Sequence, residues 1–515
     1  MNKILLFYIC ILTTLIAACS GDIKVTLDQS VKGLSYDLSA QTVTLAKIII
    51  SKDTQIVTIA GPIASDGSTL KSFTVIGSLP PGLTMNTSTG AITGTPSAVG
   101  DYIIIVKAES NIANTSYTST SLTFTVEDTV VSYNLGLGEV FSCGFISGDI
   151  YCSGLNFWGG IGDATNTDRS ASTLIDKSGS LSGKTITRLF VGLYQSCLQT
   201  SDKGIQCWGT GDDGALGNGT FGHQNTPTPI NTTGVLSGKI ASDVSVGYGH
   251  AVLLTKNENK VYTWGYNSNG QLGNNTTAVN AAFPGAVVDT GALSGKTFIQ
   301  VNAGYNNTLL LSSDHLLYSF GSNVNGELGN NSNTDSPVPV AVNLSNLSVS
   351  EYVTEIVPSK GHHQFFKTNL GNWYGFGKND SSQLGDSSFS DKLIPTKLTL
   401  TGVAAGKIIK QLVTGLNHTC ILTTDLNVYC VGSGASGQLG NGAGTNSNIW
   451  VSINRTGELA GKTPLKLTAA NLESCVKTLE DSKWYCWGLN NYAQLGNTTY
   501  IQTNSPTLSF GGLTF

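Results

Sequence analysis

Apolar residues in this chain come in short alternating runs, not at helical spacing. Thr42-Val-Thr-Leu, Ile56-Val-Thr-Ile, Phe73-Thr-Val-Ile, Tyr102-Ile-Ile-Ile-Val and Leu122-Thr-Phe-Thr-Val all read this way. Alternation at period two with turn residues between runs predicts antiparallel strands buried on one face. Beyond residue 130 a second, longer period appears. An aromatic-Gly step, or a near equivalent, is followed by a loop ending in Leu-Gly. The copies are Ser153-Gly154 to Ile161-Gly162, Trp208-Gly209 to Leu216-Gly217, Trp264-Gly265 to Leu272-Gly273, Phe320-Gly321 to Leu328-Gly329, Phe376-Gly377 to Leu384-Gly385, Val431-Gly432 to Leu439-Gly440 and Trp487-Gly488 to Leu495-Gly496. Successive closing glycines are 55, 56, 56, 56, 55 and 56 residues apart. So steady a period predicts a repeat architecture in which seven units share one core. The apolar residue before each closing glycine is predicted to be core. Ser382 and Ala493 depart from the glycine expected inside the loop.

Composition agrees with an all-β chain. Charged residues make up 12 %, about half of the ~25 % usual in globular domains. The 61 glycines suit tight turns. The net charge is −5, and Arg169, Arg188 and Arg455 are the only arginines. Arg dominates bidentate phosphate and base-edge contacts, so nucleic acid is excluded as a partner.

The first 18 residues, MNKILLFYICILTTLIAA, carry Lys3 and then an apolar run too short for a ~20-residue membrane span, which predicts a signal peptide. Leu15-Ile-Ala-Ala-Cys19-Ser20 resembles the bacterial lipobox. The resemblance implies cleavage before Cys19, lipid on its sulfur and a lipidated linker over 19–32. Ser20, not Asp, follows the cysteine, so display on the outer membrane facing the exterior is expected.

Residues 33–128 lack the long repeat. Leu79-Pro-Pro-Gly-Leu-Thr-Met-Asn-Thr-Ser-Thr-Gly-Ala-Ile-Thr-Gly-Thr-Pro96 and Ala98-Val-Gly-Asp-Tyr102 resemble the immunoglobulin-like (cadherin-like) domain of bacterial surface proteins, which implies a small β-sandwich. Some relatives bind Ca²⁺. Asp101, Glu109, Glu127 and Asp128 are available here but form no recognisable loop, so the module is read as a spacer, with calcium the minor alternative and no other cofactor expected.

Residues 130–515 hold the repeats. Gly415-Leu-Asn-His-Thr-Cys and Gly434-Ala-Ser-Gly-Gln-Leu-Gly-Asn441 resemble the regulator-of-chromosome-condensation repeats, with a Gly-x-x-His-Thr strand, a Trp-Gly step and an Asn-x-x-Gly-Gln-Leu-Gly loop. Seven such repeats imply a seven-bladed β-propeller. The expected fold is therefore all-β, a propeller preceded by a small sandwich. Val130–Leu135 would fill the first strand slot, and the chain ends meet at one seam.

Eight cysteines fall in two fixed slots: Cys143/Cys152, Cys197/Cys207, Cys420/Cys430 and Cys475/Cys486. In the other units both slots change together, to Val252/Thr263, Leu309/Ser319 and Phe365/Gly375. Residues present or absent as pairs predict cross-strand disulfides, which facing strand positions can form. Metal binding would need closer cysteines or histidine partners. Disulfides also point to an oxidising compartment.

Other motifs carry less. Gly183-Lys-Thr, Gly295-Lys-Thr and Gly461-Lys-Thr lack the upstream glycine of a phosphate loop and recur at the repeat period, as turns before strands do. His250, His363 and His418 share one repeat slot and are read as structural hydrogen-bonders, not metal ligands. No nucleophile-base order or carboxylate pair stands out, so a non-enzymatic role is expected, with a site assembled from distant loops the alternative. The expected function is a monomeric surface lipoprotein whose propeller binds a protein or other macromolecule, as adhesin, receptor or inhibitor. Phe157, Trp158, Phe221, Tyr266, Trp450, Tyr492 and Tyr500 are the candidate contact residues, because aromatics anchor many interfaces. The repeat resemblance adds an exchange-factor-like regulator or a secreted enzyme inhibitor as the alternative.

Overall fold

The computed structural model describes residues 25–26, 34–37, 48–51, 57–63, 70–94, 100–110, 116–118, 122–127, 135–146 and 148–513. The signal segment and Cys19 lie outside the described residues, as does Asp128. The chain divides into two compact units, Met1–Val131 and Ser132–Phe515.

The first unit is built from two sheets. One runs in the order Val25–Thr26, Ile48–Ser51, Leu122–Glu127, Gly100–Ser110 and Leu70–Gly77, with Ser116–Thr118 added to Gly100–Ser110. The other runs Leu34–Asp37, Val57–Ile63, Ile92–Gly94 and Leu83–Met85. Phe73, Ile104, Val106 and Ala108 of the first sheet and Leu83 and Ile92 of the second are buried, as expected where alternate positions face a core. The Pro-Pro-Gly-Leu motif meets Gly94 here. Leu83 pairs with Gly94, and a Cβ at Gly94 would sit 2.1 Å from the Gly82 carbonyl oxygen, so only glycine fits. Glu109 accepts a hydrogen bond from Ser72 Oγ. Among the described residues no group of three or more His, Cys, Asp or Glu converges on a metal position.

The second unit is a ring of seven four-stranded antiparallel sheets, each contiguous in sequence. Blade one is Leu135–Leu137, Phe141–Ile146, Asp149–Gly154 and Arg169–Leu174; blade seven is Pro464–Ala470, Glu473–Thr478, Trp484–Gly488 and Thr503–Leu508. First strands of most neighbouring blades pack on one another, including that of blade one on that of blade seven, so they line the axis and close the ring. Among the described residues no strand is shared across the closure. The first strand begins at Leu135, at the end of the expected Val130–Leu135 slot, and the seam is sealed by side chains: Leu135, Leu137, Ala470, Trp484, Leu495 and Phe510 form one core cluster.

The repeat period is explained by how blades dock. Each aromatic of the aromatic-Gly step packs on the Leu-Gly turn of the preceding repeat. A Cβ at Gly217 would lie 2.7 Å from Trp264 Nε1, so Gly217, at φ 64°, leaves room for the indole. The indole N–H of Trp208, Trp264 and Trp487 donates to the carbonyls of Gly160, Ala215 and Gln438. Two repeats lack the aromatic, and in both another segment supplies it, the outer strand in one and the 3-10 turn Phe510–Gly512 in the other. Opposite Val431, Trp450 of the outer strand of blade six fills the place against Gly385 and donates to its carbonyl at 3.1 Å. Opposite Ser153, Phe510 packs against Gly496. Ser382 and Ala493 take φ near 60°, the conformation of the glycines they replace.

Candidate functional site

One face of the ring carries the turns between first and second strands and the long loops between third and fourth strands. The long loops are held rigid. Asn156, Asn267, Asn323, Asn379 and Asn490, two residues after each aromatic-step glycine, are fully buried. Each side chain accepts the backbone N–H five residues on, at Ile161, Leu272, Leu328, Leu384 or Leu495, and donates back into its loop. Units two and six have Gly211 and Gly434 in this slot, where a Cβ would meet a carbonyl oxygen at 2.1 and 2.0 Å.

Across this face runs an arc of touching rings. Phe157 meets Trp158 edge-on at 5.5 Å, Trp158 meets Tyr194 at 5.7 Å, and Tyr194 meets Tyr248 at 5.5 Å. Tyr248 stacks on Tyr305 at 4.6 Å and contacts Tyr266 at 6.4 Å, and Tyr305 reaches His362 at 4.5 Å. The rings come from blades one to five. Phe157, Trp158 and Tyr266 belong to long loops, while Tyr194, Tyr248, Tyr305 and His362 sit in the tight turns beside the axis. Edge-to-face and offset contacts of this kind add to the apolar burial of each ring.

Carboxylates lie among the rings. Glu139 lies at the Tyr194 turn, its backbone N–H donating to the Leu193 carbonyl at 2.8 Å, and burial raises the pKa of both Glu139 and Tyr194. Tyr305 is pushed up to about 12 by burial and by Tyr248 and Glu139. Asp213 is raised by burial and by Asp212; one of its oxygens accepts Asn280 Nδ2 at 2.8 Å, and the other lies 3.7 Å from where a Gly249 Cβ would stand. Glu327 is buried beside His362, 3.4 Å away. Lys360 of blade five extends to the Leu137 carbonyl of blade one at 2.7 Å; burial drives its pKa down to about 7, opposed by Glu473.

Beneath the turns runs a buried polar girdle. His250, His363 and His418 pair through Nε2 with Thr308, Thr419 and Ser474 of the next blade, at 3.1, 2.9 and 2.7 Å. Each hydroxyl donates to the carbonyl of Gln271, Gln383 or Gln438, so the imidazole must carry its hydrogen on Nε2. Burial pushes all three histidines down to about 3. Gln364 joins Asn307 at the fourth junction. The pattern breaks at the remaining three. Glu473 and Ser142 at the seam, Ser196 opposite Phe141, and Gln195 opposite Ala251 have buried polar atoms without a hydrogen-bond partner in the protein.

The other face is organised by ion pairs. Lys184, Lys239, Lys296, Lys407 and Lys462, each following a glycine, pair with Asp202, Glu258, Asp314, Asp425 and Asp481 at the second-to-third strand turns. The Gly-Lys-Thr tripeptides are thus turns whose lysines are already occupied. Four disulfides, Cys143–Cys152, Cys197–Cys207, Cys420–Cys430 and Cys475–Cys486, join facing residues of the second and third strands. Val252, Leu309 and Phe365 face Thr263, Ser319 and Gly375 in the same slots.

The expected contact residues divide. Phe157, 66 % exposed, joins Trp158 and Tyr266 in the arc. Phe221, Tyr492 and Tyr500 are 57, 39 and 53 % exposed, on long loops of the same face but outside the arc. Trp450 is a correction: it is 0 % exposed, because it fills the blade contact that Val431 leaves. Tyr194, Tyr248, Tyr305 and His362 escaped the sequence reading. Their shared position, one or two residues before the histidine slot, was the available signal.

A family model for the RCC1-like domain matches residues 149–510, and an Ig-domain model matches residues 31–126. The chain is 28 % identical over 376 residues to the ultraviolet-B receptor UVR8 of Arabidopsis thaliana, covering 73 % of this chain and 80 % of that protein. It is 31 % identical over 204 residues to the probable E3 ubiquitin-protein ligase HERC4 of Homo sapiens, covering 39 % of this chain but 18 % of HERC4. Among solved structures, human WBSCR16 matches at TM-score 0.58 and 18 % identity over 70 % of this chain and 94 % of that one. Yeast RCC1 (Prp20), bound to Kap60, matches at TM-score 0.58 and 18 % identity over 73 % of this chain and 85 % of that one. Strand order, repeat and matched span agree, and the chain belongs to the RCC1-like domain family.

Proposed function

We propose that this chain is a non-catalytic protein-binding propeller, exported and held at the outer membrane by lipid on Cys19, with the aromatic arc as its contact face. The observation that carries the reading is the continuity of that arc: seven rings from five consecutive blades, each within 6.4 Å of the next, on loops that buried asparagines hold in place. Aromatic anchors on a rigid scaffold lose little entropy on binding and dominate interface energies. Five lysines of the opposite face are already paired with acids. Four disulfides support an oxidising compartment, and the lipobox-like Cys19 supplies the anchor.

The test compares the combined Trp158→Ala, Tyr248→Ala and Tyr305→Ala variant with Asp425→Asn on the other face. Proteins of equal melting temperature are used to capture partners from the organism's surroundings. Capture is expected to be lost only in the arc variant. Equal capture by both would reject the face. Accelerated nucleotide release from a small GTPase, or inhibition of a β-lactamase, would replace the reading with a regulatory or inhibitory one. For the anchor, Cys19→Ala protein should move from the detergent phase to the aqueous phase.

A further inference from the structure

Where the arc meets the axis, the chemistry is that of a site for a cation. Glu139 sits at the Tyr194 turn, its backbone N–H donating to the Leu193 carbonyl at 2.8 Å, and its charge acts on the phenols of Tyr194, Tyr248 and Tyr305. Asp213 has one oxygen 3.7 Å from where a Cβ on Gly249, the neighbour of Tyr248, would stand. Neither Glu139 nor Asp213 takes part in an ion pair among the described residues. Lys360 is engaged by the Leu137 carbonyl and by the field of Glu473, and His362 by Glu327, so neither neutralises Glu139.

A second feature points the same way. Gln195, next to Tyr194, is 0 % exposed, and neither its amide oxygen nor its nitrogen has a partner in the protein. Glu473, equally buried and coupled to Glu139, bonds Gln494 through one oxygen and leaves the other unpaired. The polar girdle is therefore interrupted beneath the acidic end of the arc. Aromatic rings, carboxylates and the unpaired Gln195 amide oxygen together suit a guanidinium or ammonium group, which aromatic quadrupoles and anions both attract. A sugar would need a flat, uncovered platform. Here Trp158, Tyr194 and Tyr248 meet edge-on at 85–90°, which leaves no coplanar stacking platform.

We infer that the axial end of the arc is a binding site for Lys or Arg side chains of a basic segment on a partner protein, with Glu139 as counter-charge and Tyr194, Tyr248 and Tyr305 as the aromatic wall. The inference rests on the protein-binding reading and adds the chemistry of the partner.

The experiment measures fluorescence anisotropy of labelled hexa-arginine and hexa-lysine peptides with the full chain in detergent micelles. Hexa-citrulline is the neutral control, and chitohexaose is the sugar competitor. The basic peptides should bind and the citrulline peptide should not. Glu139→Gln and Tyr248→Leu should each weaken binding at least about tenfold, Tyr248→Phe should keep it, and Asp425→Asn should not change it. Because Tyr248→Phe keeps the ring, it separates loss of the site from loss of the fold. Equal binding of the citrulline peptide, unchanged affinity in Glu139→Gln, or displacement of the basic peptides by chitohexaose would overturn the site. Failure of the basic peptides while capture still requires Trp158, Tyr248 and Tyr305 would overturn the cation alone and leave the protein-binding face standing. Peptide binding by a chain that captures no partner would support the site and count against that face.

Discussion

Single residues decide how well this ring closes on itself, and the exchange of Val431 for Trp450 shows it best. The repeat asks for an aromatic at 431, but the indole arrives from the outer strand and occupies the same place against Gly385. Trp450→Ala should therefore cost about 3–5 kcal/mol, the range for a fully buried tryptophan. Val431→Trp alone should also destabilise, by overpacking, whereas Val431→Trp with Trp450→Val should recover much of the loss. Denaturant unfolding of the four proteins measures the cycle, and additive effects would show that the two positions do not share one cavity. The girdle histidines make a pH prediction. Their folded pKa of about 3 lies below the unfolded value of about 6.5, so the unfolded chain binds the extra protons. Their contribution is complete above pH ~6.5 and falls away as pH drops toward 3. The melting temperature should decline over that window, and replacing His250, His363 and His418 with Gln should flatten the decline.

At the scale of elements, the second-to-third strand hairpin is the part most legible in the sequence. Its slots are local and separated by nine to eleven residues in the stapled blades. A pleated hairpin places such residues opposite one another whatever the rest of the fold does. The eight cysteines should resist alkylation in the native, unreduced protein. Replacing Cys475 and Cys486 by Val and Thr, the pair used in blade three, should cost about 2–3 kcal/mol through loss of a short closed loop. The long loops were less legible. The asparagine two residues past each aromatic-step glycine recurs five times in the sequence, yet its role becomes apparent only when its side chain is seen bonding into its own loop. Asn379→Ala should leave several buried backbone groups unpaired and lower stability by about 1–3 kcal/mol.

For the whole molecule, the stapled blades six, seven, one and two are contiguous around the closure, where no strand crosses among the described residues. With no shared sheet there, the ring depends on the seam core. Phe510→Ala should loosen it: amide hydrogen exchange in Leu135–Leu137 and Pro464–Ala470 should accelerate before that in blades three to five. Uniform acceleration would show that the ring opens as one unit. The same closure sets the two faces apart, one with acids among touching rings and the other with paired lysines and acids.

The sequence by itself determined the all-β class, the seven blades, the paired cysteines and the glycine turns, because each depends on spacings shorter than one repeat and recurs at a fixed period. Only the tertiary structure decided that Trp450 is core, that Phe510 seals the seam, that Lys360 reaches Leu137, and that Tyr194, Tyr248 and Tyr305 join the loop aromatics in one arc. Those contacts include pairs 18 positions apart, as for Tyr248 and Tyr266, and 223 apart, as for Leu137 and Lys360. They depend on how blades are rotated about a common axis, and a periodic pattern specifies equivalent slots without specifying which slots touch when the ring closes.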